Sequence, residues 1–352
     1  MRRVGVVGDG LSGLIAGLGA ASNGSEVAIF GRSEPIGGLA SPVHPDTEWL
    51  FDRIPLFWRR GGKLDTLLRQ MKVPIRTRKV PPSSMAIVRD NWRYSLPAKS
   101  SFFRKSRSTL SAEWASLIQA ARKGDLTSID GFEKDAATLL SILWNFDPTP
   151  DPEAVLNLGW KQPARVALDG WVGVSGRLIT ACMQTDVSFH MDGPVTGFRR
   201  RKDGAIDGVK RKGRVLPVDT VIQACSRNPP DNLVPHGRYL GLEGNFLSPH
   251  VVLWDADREV LLVDLGSLIP ERAPLAHASL FHCIAFGDNS TGTERIEAML
   301  DSQCSGWRSA IVADYVLDNL RTPTVPDTEL DEGIHYAHVG NALKIGKRAA
   351  QP

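Results

Sequence analysis

Val4-Gly5-Val6-Val7-Gly8-Asp9-Gly10-Leu11-Ser12-Gly13-Leu14-Ile15-Ala16 puts a short apolar strand before three glycines at G-x-G-x-x-G spacing and an apolar helix after them. Such a turn binds a dinucleotide. Gly8 permits the tight turn, Gly10 lets the backbone approach a pyrophosphate, and Gly13 lets the helix pack on the strand with its N-terminal N–H groups facing the anion. The spacing alone is a weak signal, and its context carries the weight. A second strand, Glu26-Val27-Ala28-Ile29-Phe30, follows at the distance a βαβ unit needs. The stretch from Arg2-Arg3 to Gly19-Ala20-Ala21-Ser22 also has the outline of a secretory leader. Asp9 and the glycines interrupt its apolar run, however, and the next strand belongs to the same unit. The expected location is cytoplasmic.

The tip of the second strand bears on which dinucleotide is bound. Where the cofactor is NAD or FAD, an acidic side chain there accepts hydrogen bonds from the adenosine ribose. This chain reads Phe30-Gly31-Arg32-Ser33, without an acid. A small residue followed by Arg32 suits a ribose 2′-phosphate, which a guanidinium binds in bidentate fashion. NADP therefore stands as an alternative to FAD. By the same reasoning, a carboxylate restored at position 31 is expected to tighten FAD and to weaken NADP.

Glu34-Pro35-Ile36-Gly37-Gly38-Leu39-Ala40-Ser41 resembles the glycine-pair segment of the FAD-dependent amine oxidase, protoporphyrinogen oxidase, phytoene desaturase and UDP-galactopyranose mutase superfamily. Phe51-Asp52-Arg53-Ile54-Pro55-Leu56-Phe57 resembles the phenylalanine-aspartate segment that runs beside the flavin in that family. Gly170-Trp171-Val172-Gly173-Val174-Ser175-Gly176-Arg177 is similar to its glycine-rich lead-in to a helix. After it come Val187-Ser188-Phe189-His190, Pro194-Val195-Thr196-Gly197-Phe198, Gly208-Val209-Lys210 and Asp219-Thr220-Val221-Ile222-Gln223-Ala224. In the family this order is helix, strand, a valine whose backbone meets the adenine, a β-meander, and a strand returning to the sheet. The last segment, from Gly333-Ile334-His335 to Ala349-Ala350, is similar to the family's closing strand and helix.

The resemblance implies an α/β fold: a Rossmann-like FAD/NAD(P)-binding domain with a second, mixed α+β substrate domain. These placements divide the chain into a discontinuous dinucleotide-binding domain, 1–75, 160–235 and 325–352, and a substrate domain, 76–159 and 236–324. The resemblance further implies a flavoprotein oxidoreductase acting on a small, apolar organic substrate. FAD would be held by Gly8, Asp9, Gly10, Leu11, Ser12, Gly13, Gly31, Arg32, Gly37, Gly38, Leu39, Val195, Gly340 and Asn341. Since the flavin itself takes the hydride or electrons, no catalytic side chain need stand out, and none does. The chain departs from the family pattern at Gly31 for the ribose acid and at Leu39, often a basic residue. It departs again at Ile54 and Leu56 for a glycine and a histidine, and at Asn341 for an aspartate. Two further readings stay open: an NADP-using reductase, favoured by Arg32, and a nucleotide-binding or cofactor-free protein that has lost redox activity.

Composition agrees with a globular chain. At 352 residues, 42% hydrophobic and 23% charged, there is room for two domains with ample core. Its apolar runs all fall short of the ~18 residues of a membrane span. Cys182, Cys225, Cys283 and Cys304 form no C-x-x-C pair, which points to reduced thiols rather than zinc or disulfides. A net charge of +3 is too small to argue for nucleic acid. Lys99, Arg104, Lys105 and Arg107 surround Phe102-Phe103, a basic stretch that suits a solvated face, an anionic membrane surface or a phosphorylated substrate. His335 and His338 read as strand residues on opposite faces, so no metal site is expected. Gly173-Val174-Ser175-Gly176 lacks the spacing of a nucleophile elbow. Antiparallel strands are expected around Val251-Trp254 and Val260-Val263, and helices over Gly131 to Trp144 and Thr293 to Met299. Oligomeric state is not read from the sequence.

Overall fold

The structure, a computed structural model, describes residues 1–32, 34–43, 48–54, 57–97, 115–119, 131–145, 151–161, 164–185, 187–224, 235–317, 334–336 and 342–350. Ser33, Leu56, the basic stretch around Phe102 and Phe103, Cys225, His338, Gly340 and Asn341 lie outside them.

A five-stranded parallel sheet is gathered from distant parts of the chain, in the order β17-β11-β1-β2-β7. Its members are β1 (Arg3–Val7), β2 (Glu26–Phe30), β7 (Ser188–His190), β11 (Thr220–Gln223) and β17 (Ile334–Tyr336). β1 is central, with Val4 beside Val27 on one side and Thr220 on the other. Val4 and Val6 are buried, as an inner strand of a sheet covered on both faces requires. Helix α1 (Leu11–Ala21) carries the chain from β1 to β2 and buries Leu14, Ile15, Ala16, Leu18 and Ala20. Its small residues admit close neighbours. Helix α6 (Ala342–Ala349) crosses α1 so tightly that a Cβ at Gly346 would fall on the carbonyl of Ala16.

A seven-stranded sheet runs β16-β12-β15-β14-β13-β4-β5, antiparallel throughout except between β13 and β4. These strands are β4 (Met85–Arg89), β5 (Trp92–Ser95), β12 (His236–Glu243), β13 (Val252–Asp255), β14 (Val260–Asp264), β15 (Ala278–Ala285) and β16 (Ile311–Leu317). Alternation sorts the side chains into two cores. Leu240, Leu253, Leu262, Phe281 and Cys283 face helix α5 (Gly292–Gln303) and Trp307. Tyr239, Trp254, Leu261, Val263 and Ile284 face inward, onto Phe51, Phe57 and the helices α2 (Phe132–Asn145) and α3 (Pro152–Lys161).

Two smaller pieces complete the frame. The meander β8 (Gly197–Arg200), β9 (Ile206–Arg211) and β10 (Arg214–Pro217) seats Val209 against Phe30 and Val221 at the end of the parallel sheet. The ribbon of β3 (Thr77–Lys79) with β6 (Arg165–Ala167) leads into helix α4 (Gly170–Met183). Among the described residues no helix is long and apolar enough to cross a membrane, and no group of His, Cys, Asp or Glu is placed to hold a metal.

Because the atom blocking a side chain at Gly346 is backbone, the helices must move apart to admit one. Gly346→Ala is expected to cost about 1–3 kcal/mol in urea unfolding, the usual range for overpacking a tight contact.

Candidate dinucleotide site

The glycines of the first turn fall into two kinds. Gly8 has φ +117°, and its N–H donates to the carbonyl of Phe30 at 2.9 Å, tying the turn to the end of β2. A Cβ at Gly13 would fall on the carbonyl of Gly8. Both are therefore demanded by the strand-turn-helix packing itself. Gly10 is not. Its φ of −73° is open to any residue, and among the described residues other than its chain neighbours only the Gly37 carbonyl, at 3.9 Å, would come near a Cβ there.

That free space lies at the start of α1, where Gly10 is the N-cap without a side-chain hydrogen bond and the first turn holds no acid. The leading N–H groups of a helix lack intrahelical acceptors, and the helix dipole is positive at that end. Room, donors and field together fit a pyrophosphate.

The glycine pair closes over this turn. Gly37 and Gly38 have φ of +127° and +57°, and a Cβ on Gly38 would come within 3.1 Å of Gly10 Cα. Behind them a Cβ on Gly37 would meet Ser175 Oγ of α4 at 3.1 Å, and the Ser175 hydroxyl donates to the Val172 carbonyl at 2.9 Å. Leu39 packs onto the inner core of the seven-stranded sheet, so an apolar residue there has a packing role. Leu11 packs into the core beneath the parallel sheet, Ser12 is half-buried, and Val195 packs with the cluster of Phe30 and Val209.

At the strand tip, the N–H of Gly31 donates to the His190 carbonyl at 3.0 Å, and the Gly31 carbonyl accepts from Arg211 Nη2 at 3.2 Å. Arg211 is buried and pairs with Asp192 at 2.8 Å, while Arg32 is exposed. The His190 ring stacks on Phe30 at 5.1 Å; burial lowers its pKa and Arg211 adds to the effect. The space where a side chain of residue 31 would stand is taken. A Cβ there would lie 2.5 Å from Met191 Sδ and 2.9 Å from Asp9 Cγ. A carboxylate placed here would have to displace Met191 and would stand beside the carboxylate of Asp9. Neither Met191 nor Arg211 was singled out in the sequence, because only the pairing of β2 with β7 and the seating of β9 bring them to Gly31.

The Phe51-Asp52 segment lies in a second cluster, between α4 and the inner sheet face. Asp52 accepts from Arg272 Nη1 at 2.7 Å and from the Val172 N–H at 3.2 Å, with side-chain exposures of 4% for Asp52 and 9% for Arg272. Gly170, at φ +62°, sits where a Cβ would fall on the Arg272 guanidinium, so the glycine-rich start of α4 is built around this ion pair. Beside it, Phe51 meets His282 at 5.5 Å and Tyr239 at 5.8 Å. Tyr239 and His282 are a cross-strand pair, and the Tyr239 hydroxyl donates to the Arg53 carbonyl at 2.6 Å. His282 is fully buried, and among the described residues neither ring nitrogen has a hydrogen-bond partner. Burial pushes its pKa down to about 3, so the ring is neutral and keeps one donor and one acceptor unspent. Its sequence signal was a polar residue in the inward register of the apolar run Leu280 to Ile284.

No family model matches the sequence, and no curated protein matches it. Solved structures do. An oxidoreductase from Methanosarcina mazei superposes with a TM-score of 0.71 at 16% identity, over 96% of this chain and 95% of its own. Cyclohexylamine oxidase from Brevibacterium oxydans gives 0.64 at 13% identity, over 99% and 98%. The chain shares the fold of these two proteins. A Rab GDI from Plasmodium falciparum shares it, at a TM-score of 0.60 and 13% identity over 99% and 96%. The fold thus carries proteins of differently named activity, and the chemistry has to be argued from the site.

Removing one partner of a buried ion pair strands the other charge. Asp52→Ala is expected to lower unfolding stability by about 3–5 kcal/mol in urea titration. His282→Leu should do the opposite, raising it by about 1 kcal/mol, because it deletes two unpartnered buried polar atoms.

Proposed function

We propose that the protein is an FAD-dependent oxidoreductase of the amine oxidase type, acting on a small, apolar organic substrate. The observation that carries this reading is Gly10, a glycine the packing does not need, whose missing side chain leaves room at an uncapped helix N-terminus. A turn built only for packing would need Gly8 and Gly13 alone. The pyrophosphate would be held by the first-turn N–H groups of α1. FAD, when bound, supplies the acceptor for a hydride or electron pair.

The remaining work falls to the chain. Phe51, Tyr239 and His282 pack on one another as a fully buried aromatic cluster on the inner face of the seven-stranded sheet. The Asp52–Arg272 pair fixes the start of α4 against this face. The proposal includes the discontinuous dinucleotide domain of 1–75, 160–235 and 325–352 and a substrate domain of 76–159 and 236–324. It also includes a reducing, cytoplasmic location, in keeping with the buried free thiols of Cys182, Cys283 and Cys304. The absence of an acid at Gly31 favours a second reading, a protein of this fold without redox activity.

The two readings part on a spectrum. Purified protein is expected to show flavin absorbance or to acquire it on titration with FAD, and denaturation should release FAD identifiable by chromatography. Gly10→Val should stay folded by circular dichroism yet bind FAD at least about tenfold more weakly, a loss of about 1.4 kcal/mol. A parent that takes up no FAD, or a folded Gly10→Val that binds it equally well, overturns the proposal.

A further inference from the structure

We infer that Asp9 supplies the ribose-binding carboxylate that the tip of β2 lacks, and so selects a ribose with a free 2′-hydroxyl. The inference rests on the proposed dinucleotide reading. An acid is wanted at the strand tip because the adenosine ribose hydroxyls donate hydrogen bonds there. A glutamate at that tip would carry its carboxyl carbon two bonds beyond its Cβ. In this chain the Cβ position of residue 31 is already 2.9 Å from Asp9 Cγ. The turn thus delivers a carboxylate to the same region from the opposite side, and Gly31 leaves room for it.

Two features orient this carboxylate for the task. Asp9 Oδ2 accepts from the Gly37 N–H at 3.3 Å; burial raises its pKa, and the N–H groups of Asp9, Gly37 and Gly38 act the other way, towards the charged form. A carboxylate has about four acceptor sites, so these donors leave capacity for hydroxyls. Asp9 is only half-buried, which leaves it open to a ligand.

The surrounding charges agree with this selection. Arg211 is committed to the Gly31 carbonyl and to Asp192, Arg32 is exposed, and burial lowers the pKa of His190. A 2′-phosphate would meet the Asp9 carboxylate first, and like charges at that range repel. The site therefore takes FAD in preference to NADP.

The test pairs a deletion on the ligand with a deletion on the protein. ADP, 2′-deoxy-ADP, FAD and NADP are titrated by calorimetry into the parent, Asp9→Ala and Asp9→Asn, each checked for folding by circular dichroism. The parent is expected to bind ADP about tenfold or more tighter than 2′-deoxy-ADP, the worth of a hydrogen bond to a charged acceptor. In Asp9→Ala that preference should vanish, with ADP and FAD each weakened about tenfold. Asp9→Asn keeps the shape but not the charge, and should gain affinity for NADP. An unchanged ADP preference in Asp9→Ala, or NADP binding indifferent to Asp9→Asn, overturns the assignment while leaving the flavin reading intact. A parent that binds neither FAD nor ADP overturns both.

Discussion

The carbonyl of Gly8 stands where a side chain at residue 13 would begin, and this one contact sets the geometry of the nucleotide end of the molecule. It brings α1 against β1 at the distance that only glycine permits, and it points the helix N-terminus out over the end of the parallel sheet. The chain runs from β1 to β2 and β7 on one side of it and later returns to β11 and β17 on the other, so the order reverses beside β1. Crevices of α/β sheets open at such switch points, outside the carboxyl ends of the strands. The glycine pair then drops onto Gly10 from one side and α4 supports it from behind through Ser175.

A second constraint joins this end to the antiparallel sheet. Asp52 and Arg272 are too buried to be solvated as separate ions, so each is tolerable only with the other in place. Asp52 also takes the Val172 N–H near the start of α4, and Arg272 donates to the Leu50 carbonyl at 2.7 Å. The pair therefore fixes the segment that carries Phe51, and through it the aromatic packing around His282. A buried imidazole without partners costs stability. Its retention at a joint between two sheets, beside a desolvated ion pair, is the kind of local cost that functional sites carry.

What the sequence made legible follows from the range of the interactions. The G-x-G-x-x-G turn, the flanking strands and the long helices are local patterns, fixed by neighbours within a few residues. The helix expected over Gly131 to Trp144 is found at Phe132–Asn145, and that over Thr293 to Met299 extends to Gly292–Gln303. The strands expected around Val251 and Val260 are β13 and β14. The partner of Asp52 lies 220 positions away, and Tyr239 pairs with His282 across β12 and β15. No periodicity encodes such meetings; they appear only once the register of each sheet is known.

The strand tip shows how reading a motif position by position misleads. Counting along β2 finds Gly31 where an acid belongs, and Arg32 next to it suggests a phosphate. A ribose, however, senses charge in space rather than place in a sequence. With Met191 following β7 and Asp9 leaning out of the glycine turn, a side chain on residue 31 would have to displace both of theirs. Glycine at that position leaves room for the neighbouring carboxylate. The arginine that does reach the tip, Arg211, comes from the meander and is held by a backbone carbonyl and Asp192. Asp9 thus brings to the strand tip an acceptor of the kind that a ribose hydroxyl requires.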